Sequence, residues 1–249
     1  MTLDKGSLVL IDYTAKVKDT DEIFETTRED DAKKYNLHDP SRKYEPRLVC
    51  IGEGWVLKGV DESLSNANVG DKLNVEITPD KGFGERDSNK VRMIPLRKLG
   101  EKAEEVKVGD MIEMDERTGI IRFIGSGRVQ IDFNHRFAGR NLSYDLDIIK
   151  KIDEDNDKIM NLIKRRLPVD DGNIEINLNE TNLDIRLADS LYMLEGLQII
   201  KKAISNDLFR FVSTLDTVNF IESYKSNNKN KKDGNEQLGL STEQEIPKK

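Results

Sequence analysis

The chain has 249 residues, of which 36% are hydrophobic and 35% are charged, with a formal net charge of −7. The absence of a long apolar run excludes a membrane-spanning protein, and the mixing of both charge signs provides no basic stripe for nucleic acid. The single cysteine, Cys50, excludes intrachain disulfides and cysteine-rich zinc sites, and there are only two histidines. We therefore expect a cytoplasmic protein without a signal peptide and without a membrane or nucleic-acid partner.

The first part of the chain predicts short strands around one helix. Alternating apolar residues predict a strand over 7–16, with Tyr13 on the face opposite Ile11. Apolar residues at helical spacing predict a helix over 56–67, while 86–102 is polar with a small apolar cluster. Further strands are predicted at 23–27, 48–51, 72–77, 111–114, 119–124, 128–133 and 141–152.

The pattern changes after Ile152. Amphipathic helices are predicted over 156–167 and 195–211, and between them two extended runs are predicted to form a hairpin over 174–187. A final strand is predicted at 217–223. A unit of about 70 residues is near the lower size limit for independent folding, which favours support from a partner or a dimer. Residues 225–249 have no hydrophobic periodicity and are predicted to be disordered.

The motifs of hydrolytic, redox and nucleotide chemistry are missing from the sequence. The glycines at 52, 54 and 59 differ in spacing from the dinucleotide-binding fingerprint, and no βαβ unit surrounds them. His38 lies in a polar loop and is interpreted as a surface residue. What remains is a set of apolar and aromatic residues, for which an ordinary core is the alternative interpretation: Tyr13, Phe24, Val56, Leu57, Phe83 and Tyr144.

Three neighbouring segments of the chain form a recognisable sequence pattern that includes Leu57 and Phe83. Residues 57–64 (LKGVDESL), 69–71 (VGD) and 78–85 (TPDKGFGE) resemble the core signature of FKBP-type peptidyl-prolyl isomerases. Upstream, Tyr13 and the run 24–27 (FETT) match the first strand pair of that family.

A second segment narrows the resemblance. Residues 129–142 (VQIDFNHRFAGRNL) are similar to the return segment of the SlyD-like branch, in which a chaperone domain is inserted in the flap. The resemblance covers about the first 150 residues. Together with the further unit after Ile152, it implies a long-type archaeal member of the family.

The resemblance implies an α+β fold in several parts. An FKBP-type antiparallel sheet is wrapped on a short helix, a small β-rich domain is inserted in the flap, and a C-terminal domain is of mixed α/β type. The expected domains are the isomerase at 1–86 and 136–152, the insert at 87–135, the C-terminal domain at 153–224 and the tail at 225–249.

The resemblance also implies a peptidyl-prolyl cis-trans isomerase that acts on proline-containing or unfolded polypeptides and needs no cofactor or metal. Its pocket residues would be Tyr13, Phe24, Glu25, Val56, Leu57, Val60, Phe83 and Tyr144. The backbone N–H of Leu57 would hold the peptide carbonyl. Four positions depart from the usual pattern: Glu25 replaces Asp, Val60 replaces a larger apolar residue, Arg47 replaces an aromatic residue, and Phe83 lacks a Tyr hydroxyl.

The insert is expected to bind unfolded chains, because flexible methionines suit surfaces that fit many partners. Its candidate contacts are Met93, Ile94, Met111, Met114, Ile121 and Phe123. For each of these residues, the core of a small domain is the alternative. His135, next to Asn134, is expected to serve the joint between the insert and the isomerase body rather than catalysis.

Two questions remain open at the level of sequence. The protein is either an isomerase with chaperone activity or a holdase-type chaperone whose pocket is weak or vestigial. The C-terminal domain is either a homodimerisation or client-binding module or a docking domain for one partner.

Overall fold

The computed structural model describes residues 3–167 and 171–224, so the tail predicted at 225–249 lies outside the described residues. In chain order, the strands and helices are β1 Leu8–Val17, β2 Ile23–Thr26, α1 Glu29–Lys34, β3 Arg47–Cys50, α2 Lys58–Leu64, β4 Lys72–Ile77, β5 Val91–Pro95, β6 Met111–Met114, β7 Arg117–Gly125, β8 Arg128–Asp132, β9 Leu142–Lys151, α3 Asp155–Arg166, β10 Ile174–Asn179, β11 Asn182–Leu187, α4 Leu197–Phe211 and β12 Thr217–Ile221. Among the described residues, no helix combines the length and apolarity that a bilayer crossing requires.

The first sheet is antiparallel and is built around β1. Strands β2 and β3 pair with the two halves of β1, β9 pairs along its other edge, and β4 pairs with β9. Val9, Ile11 and Tyr13 all point into the core below this sheet. The prediction that Tyr13 and Ile11 lie on opposite faces is wrong, because residues two apart in a strand share a face.

Helix α2 packs closely against β4 at Gly59. A Cβ atom added to Gly59 would lie 2.9 Å from Cγ2 of Ile77, so a larger residue would push the helix away from the strand. The loop before the helix is held by Asp61, whose carboxylate accepts hydrogen bonds from the backbone N–H groups of Gly52 at 2.7 Å and Gly54 at 3.2 Å. These contacts position the segment between that loop and α2.

The segment 87–135 forms a separate antiparallel sheet in the order β5-β8-β7-β6. Its buried core consists of Ile112, Ile121, Val129 and Ile131. Strand β5 was not expected from the sequence, because it is short and ends in Pro95. It lies at the edge of the sheet, where a residue without a backbone N–H is tolerated.

The joint between this sheet and the first one is built from polar contacts. Asp132 is buried and accepts hydrogen bonds from the Asn134 backbone N–H at 3.0 Å and from its Nδ2 at 2.8 Å. Arg86 Nη2 lies 2.7 Å from the other carboxylate oxygen. Asp87 N–H donates to Asn134 Oδ1 at 2.9 Å, so Asn134 connects the outgoing and returning segments.

The described residues separate into two compact units. The first contains 3–167 and 202–213, and the second contains 171–201 and 214–224. Within the first unit, α3 contacts β3, and Arg166 Nε donates to Asp207 Oδ2 at 2.8 Å. In the second unit, β10 and β11 form an antiparallel hairpin and β12 pairs with β11 in parallel. The predicted α+β fold class is confirmed.

Candidate active site

A cavity of about 330 Å³ opens beside α2 and brings together most of the residues that the sequence predicts. Seven of the eight predicted pocket residues line it: Tyr13, Glu25, Val56, Leu57, Val60, Phe83 and Tyr144. The eighth, Phe24, supports the wall from behind, with ring centroids 6.2 Å from Phe83 and 6.2 Å from Tyr144.

Strands of the first sheet, α2 and a turn each contribute side chains to this cavity. β1 supplies Tyr13 and β9 supplies Tyr144, and their ring centroids are 5.6 Å apart. Val60 is 1% exposed on α2, one turn after Leu57 at the start of the helix. Phe83 follows a 3-10 turn at Pro79–Lys81. The resulting pocket has aromatic walls and a small apolar residue at its base.

One wall of the cavity is polar. The Tyr13 hydroxyl donates a hydrogen bond to Glu25 Oε1 at 2.7 Å. Arg47 Nη1 donates to the Tyr13 oxygen at 2.9 Å and to Glu25 Oε1 at 3.4 Å. Arg47 therefore occupies the place of the expected aromatic wall and neutralises the Glu25 carboxylate.

Both tyrosine hydroxyls of the cavity are neutral at physiological pH. Burial, reinforced by the negative charge of Glu25, raises the pKa of Tyr13 to about 12. The same two causes raise the pKa of Tyr144 strongly. The cavity thus combines apolar surface with one polar wall whose tyrosines stay protonated, which suits binding of a polypeptide without proton transfer or covalent chemistry.

His135 lies against the cavity's edge. Its ring stacks on Phe83 with centroids 4.1 Å apart and planes inclined by 14°, and its Nδ1 accepts a hydrogen bond from the Phe137 backbone N–H at 3.3 Å. Burial, followed by the nearby Arg136, lowers the pKa of His135. A neutral imidazole at this place extends the aromatic wall that begins with Phe83.

Sequence reasoning missed several residues at this site. Ile11, Gly54 and Trp55 also line the cavity, and the Phe137 ring lies 4.4 Å from that of Phe24. Trp55 had a usable signal, since it is the single tryptophan and directly precedes Val56. Ile11 was hidden by the incorrect assignment of strand faces, because it shares a face with Tyr13.

The predicted client-binding residues of the insert divide into three groups by burial. Met93, Met111 and Phe123 are 47%, 74% and 50% exposed. Ile94 and Met114 pack partly buried against the insert's core. Ile121 is fully buried, so its prediction as a client contact is wrong: its side chain fills the core of the small sheet.

Comparisons with known proteins agree with this architecture. The sequence model of the family "FKBP-type peptidyl-prolyl cis-trans isomerase" matches residues 1–99. A model described as "FKBP26, IF domain" matches residues 92–137, and one described as "FKBP26_C-terminal" matches residues 155–225.

Curated relatives align with the first three-fifths of the chain. The short-type peptidyl-prolyl cis-trans isomerase of Methanocaldococcus jannaschii is 30% identical over 146 residues, which cover 59% of this chain and 92% of the relative. The FKBP-type 16 kDa isomerase of Escherichia coli is 26% identical over 60% of this chain and 93% of its own length. The isomerase SlyD of Haemophilus influenzae is 24% identical over 60% and 72%. The expected enzyme class is thereby confirmed, and the chain belongs to the FKBP-type peptidyl-prolyl cis-trans isomerase family.

Proposed function

We propose that this protein accelerates cis-trans isomerisation of X–Pro bonds in polypeptides, using the cavity between Tyr13, Leu57 and Phe83. The observation that carries the proposal is the convergence of seven predicted residues from distant parts of the chain on one cavity of about 330 Å³. Rotation about the X–Pro bond is opposed by a barrier of about 18–20 kcal/mol, because the C–N bond has partial double-bond character.

The mechanism follows from the character of this cavity. As the amide twists, it loses resonance and charge separation, so surroundings that are poor in water favour the twisted form over both planar forms. The rings of Phe24, Phe83 and Tyr144 exclude water around the proline. The Leu57 N–H, at the start of α2, binds the peptide carbonyl, and in the described part of the chain it donates to no other group.

We propose that the insert holds unfolded segments of the client near this cavity. In the register of its sheet, Met93 and Phe123 both pair with Gln130, so the three side chains share one face. Met111 pairs with Ile120 on the same sheet. Met93, Met111 and Phe123 are exposed, and exposed apolar side chains of this kind are typical of surfaces that bind other polypeptides.

The refolding of a slow-folding client with a cis-proline tests both proposals together. Phe83→Ala should lower the isomerase rate at least tenfold on the client and on a short proline peptide. The triple substitution Met93→Ser, Met111→Ser and Phe123→Ser should weaken client binding and slow only the client reaction. If both variants reduce both rates equally, the proposed division of labour is wrong.

The alternative function is that of a holdase with a weak pocket. It is favoured by Arg47, whose guanidinium occupies a cavity wall, and by the small Val60 at the base. A wild-type protein that suppresses client aggregation without accelerating X–Pro exchange would support this alternative. In that case Phe83→Ala would leave the effect on the client unchanged.

We further propose that the chain has the long-type archaeal organisation, with isomerase, insert and C-terminal domains bounded as predicted from the sequence. The successive matches at 1–99, 92–137 and 155–225 support this division. The compact units differ from it in one respect, since α3 and residues 202–213 belong with the isomerase body. Limited proteolysis should cut between these domains, with the first cuts near residues 86, 135 and 152.

We also propose that the second unit mediates homodimerisation. Met193 and Ile199 are 93% and 77% exposed there, which leaves apolar surface for a second copy. Light scattering should give a dimer mass for the full chain and a monomer mass for Met193→Ser/Ile199→Ser.

The acidic net charge and the buried, single Cys50 favour a cytoplasmic protein without nucleic-acid or membrane partners, which cell fractionation would test.

A further inference from the structure

A second cavity, of about 510 Å³, adjoins the candidate active site and is strongly basic. Six cationic side chains line it: Arg42, Lys43, Arg47, Lys164, Arg165 and Arg166. Glu45 is the one carboxylate among the lining residues. This concentration of positive charge contrasts with the net charge of −7 for the whole chain.

The two cavities share walls. Tyr13, Arg47 and Trp55 line both of them, so the basic cavity begins at the wall of the smaller one. Trp55 is held in place from two sides. The Arg165 guanidinium carbon lies 3.6 Å from the centre of its ring, and the Phe211 ring meets it edge-on at 5.5 Å.

The arginines of this basic cavity have few carboxylate partners in the described chain. Arg165 and Arg166 share one carboxylate, Asp207, at 3.3 Å and 2.8 Å. Arg42 and Arg47 similarly share Glu25, at 3.7 Å and 3.4 Å. Burial, followed by the charge of Arg166, lowers the pKa of Arg165, as expected where like charges crowd together.

We propose that the basic cavity is a specificity subsite that binds acidic side chains flanking the proline of a client, so that the enzyme prefers X–Pro bonds with Asp or Glu nearby. This inference rests on the proposed isomerase function. A short acidic segment fits better than a long polyanion, because the acidic remainder of the protein repels extended negative charge. The residues shared by the two cavities place the acidic side chains within a few positions of the proline.

Matched peptides test the subsite. Twelve-residue peptides with one central proline would carry a pair of Glu, Gln or Lys residues three positions before or after it, and exchange would be measured by NMR. We expect kcat/KM for the better Glu peptide to exceed that for its Gln counterpart about tenfold. The Lys peptide should be the poorest substrate. Raising the salt to about 0.5 M should shrink the difference, because screening shortens the reach of these charges.

A charge variant tests whether the basic cavity causes the preference for Glu peptides. Lys43→Gln/Lys164→Gln should reduce the Glu-to-Gln ratio of kcat/KM at least threefold. The matched control Lys58→Gln/Lys72→Gln removes two exposed lysines that do not line this cavity, and it should keep the ratio of the wild type.

The outcomes distinguish failure of the proposed subsite from failure of the proposed isomerase function. Equal kcat/KM for Glu and Gln peptides, within twofold, would overturn the subsite while leaving the isomerase function intact. An equal fall of the ratio in both double variants would also overturn it, since the preference would then come from the general charge of the protein. Absence of acceleration for every peptide would refute the proposed function and the subsite with it.

Discussion

The close approach of α2 to β4 makes Gly59→Ala an informative substitution. The new Cβ would lie 2.9 Å and 3.0 Å from the two Cγ atoms of Ile77, which is 1% exposed. The Gly59 backbone is helical, so alanine introduces no backbone strain there. The helix must therefore move away from the strand, carrying Leu57 and Val60 with it.

Two opposing effects set the change in the free energy of unfolding caused by Gly59→Ala. Overpacking a close-packed core costs about 1–3 kcal/mol, whereas replacing glycine by alanine in a helix gains about 1 kcal/mol. We expect a net destabilisation of up to about 2 kcal/mol. Because the helix starts at the candidate binding site, and misplacement by ~1 Å can cost up to ~100-fold in rate, kcat/KM should fall more than stability suggests.

The background substitution Ile77→Ala provides the control. It removes both Cγ atoms and by itself costs about 2–5 kcal/mol. In that background Gly59→Ala should become stabilising by up to ~1 kcal/mol, because only the helix preference remains. Urea unfolding followed by fluorescence of the single tryptophan, Trp55, would measure all four proteins. If Gly59→Ala destabilises equally in both backgrounds, the contact with Ile77 is not the cause.

Three further predictions concern ionisable groups. Glu25→Gln should lower the pKa of Tyr13 from about 12, and Arg47→Leu should raise it. Absorbance of the ionised phenol would measure both pKa shifts. Shifts of the same sign in the two variants would contradict the polar wall described above. For Asp132, burial opposes ionisation, but its hydrogen bonds and arginine contact hold the pKa of the carboxyl below the usual value. Its stabilising contribution is thus complete above pH ~4 and is lost as the pH falls through the lowered value. Asp132→Asn should therefore flatten the acid dependence of the stability of the insert, and an unchanged dependence would exclude this residue as its source. Burial raises the pKa of Cys50 to about 11, so a thiol reagent at pH 8 should label it only after unfolding, and rapid labelling of the native protein would contradict its burial.

The linear motifs accounted for most of the candidate site. Val56, Leu57 and Phe83 lie in segments whose local structure is set by nearby glycines and by turn residues. Their places in the pocket could therefore be predicted from short stretches of sequence. Tyr144 was also predicted, although it lies 131 positions after Tyr13 in the chain, on a different strand that the sheet brings alongside. That pairing came from the resemblance, since periodicity alone cannot say which strands are neighbours.

The predictions from sequence were wrong where tertiary packing determines the position of a residue or strand. Ile121 and Phe123 are both apolar residues of one strand, yet a bulge in the pairing of β7 with β8 helps to place one in the core and the other on the surface. Strand β5 was missed because its stability comes from pairing with β8, which its own short sequence does not encode.

By itself, the sequence determined the order of most strands and helices, the family and most of the pocket residues, because these depend on local periodicity, turn chemistry and linear motifs. Only the tertiary structure decided that Arg47 joins Tyr13 and Glu25 in one wall, and that α3 brings Lys164, Arg165 and Arg166 to a cavity beside the candidate active site. The physical reason is that charge and burial at a site are sums over residues far apart in the chain. Their positions are set by the packing of whole strands and helices rather than by their neighbours in sequence.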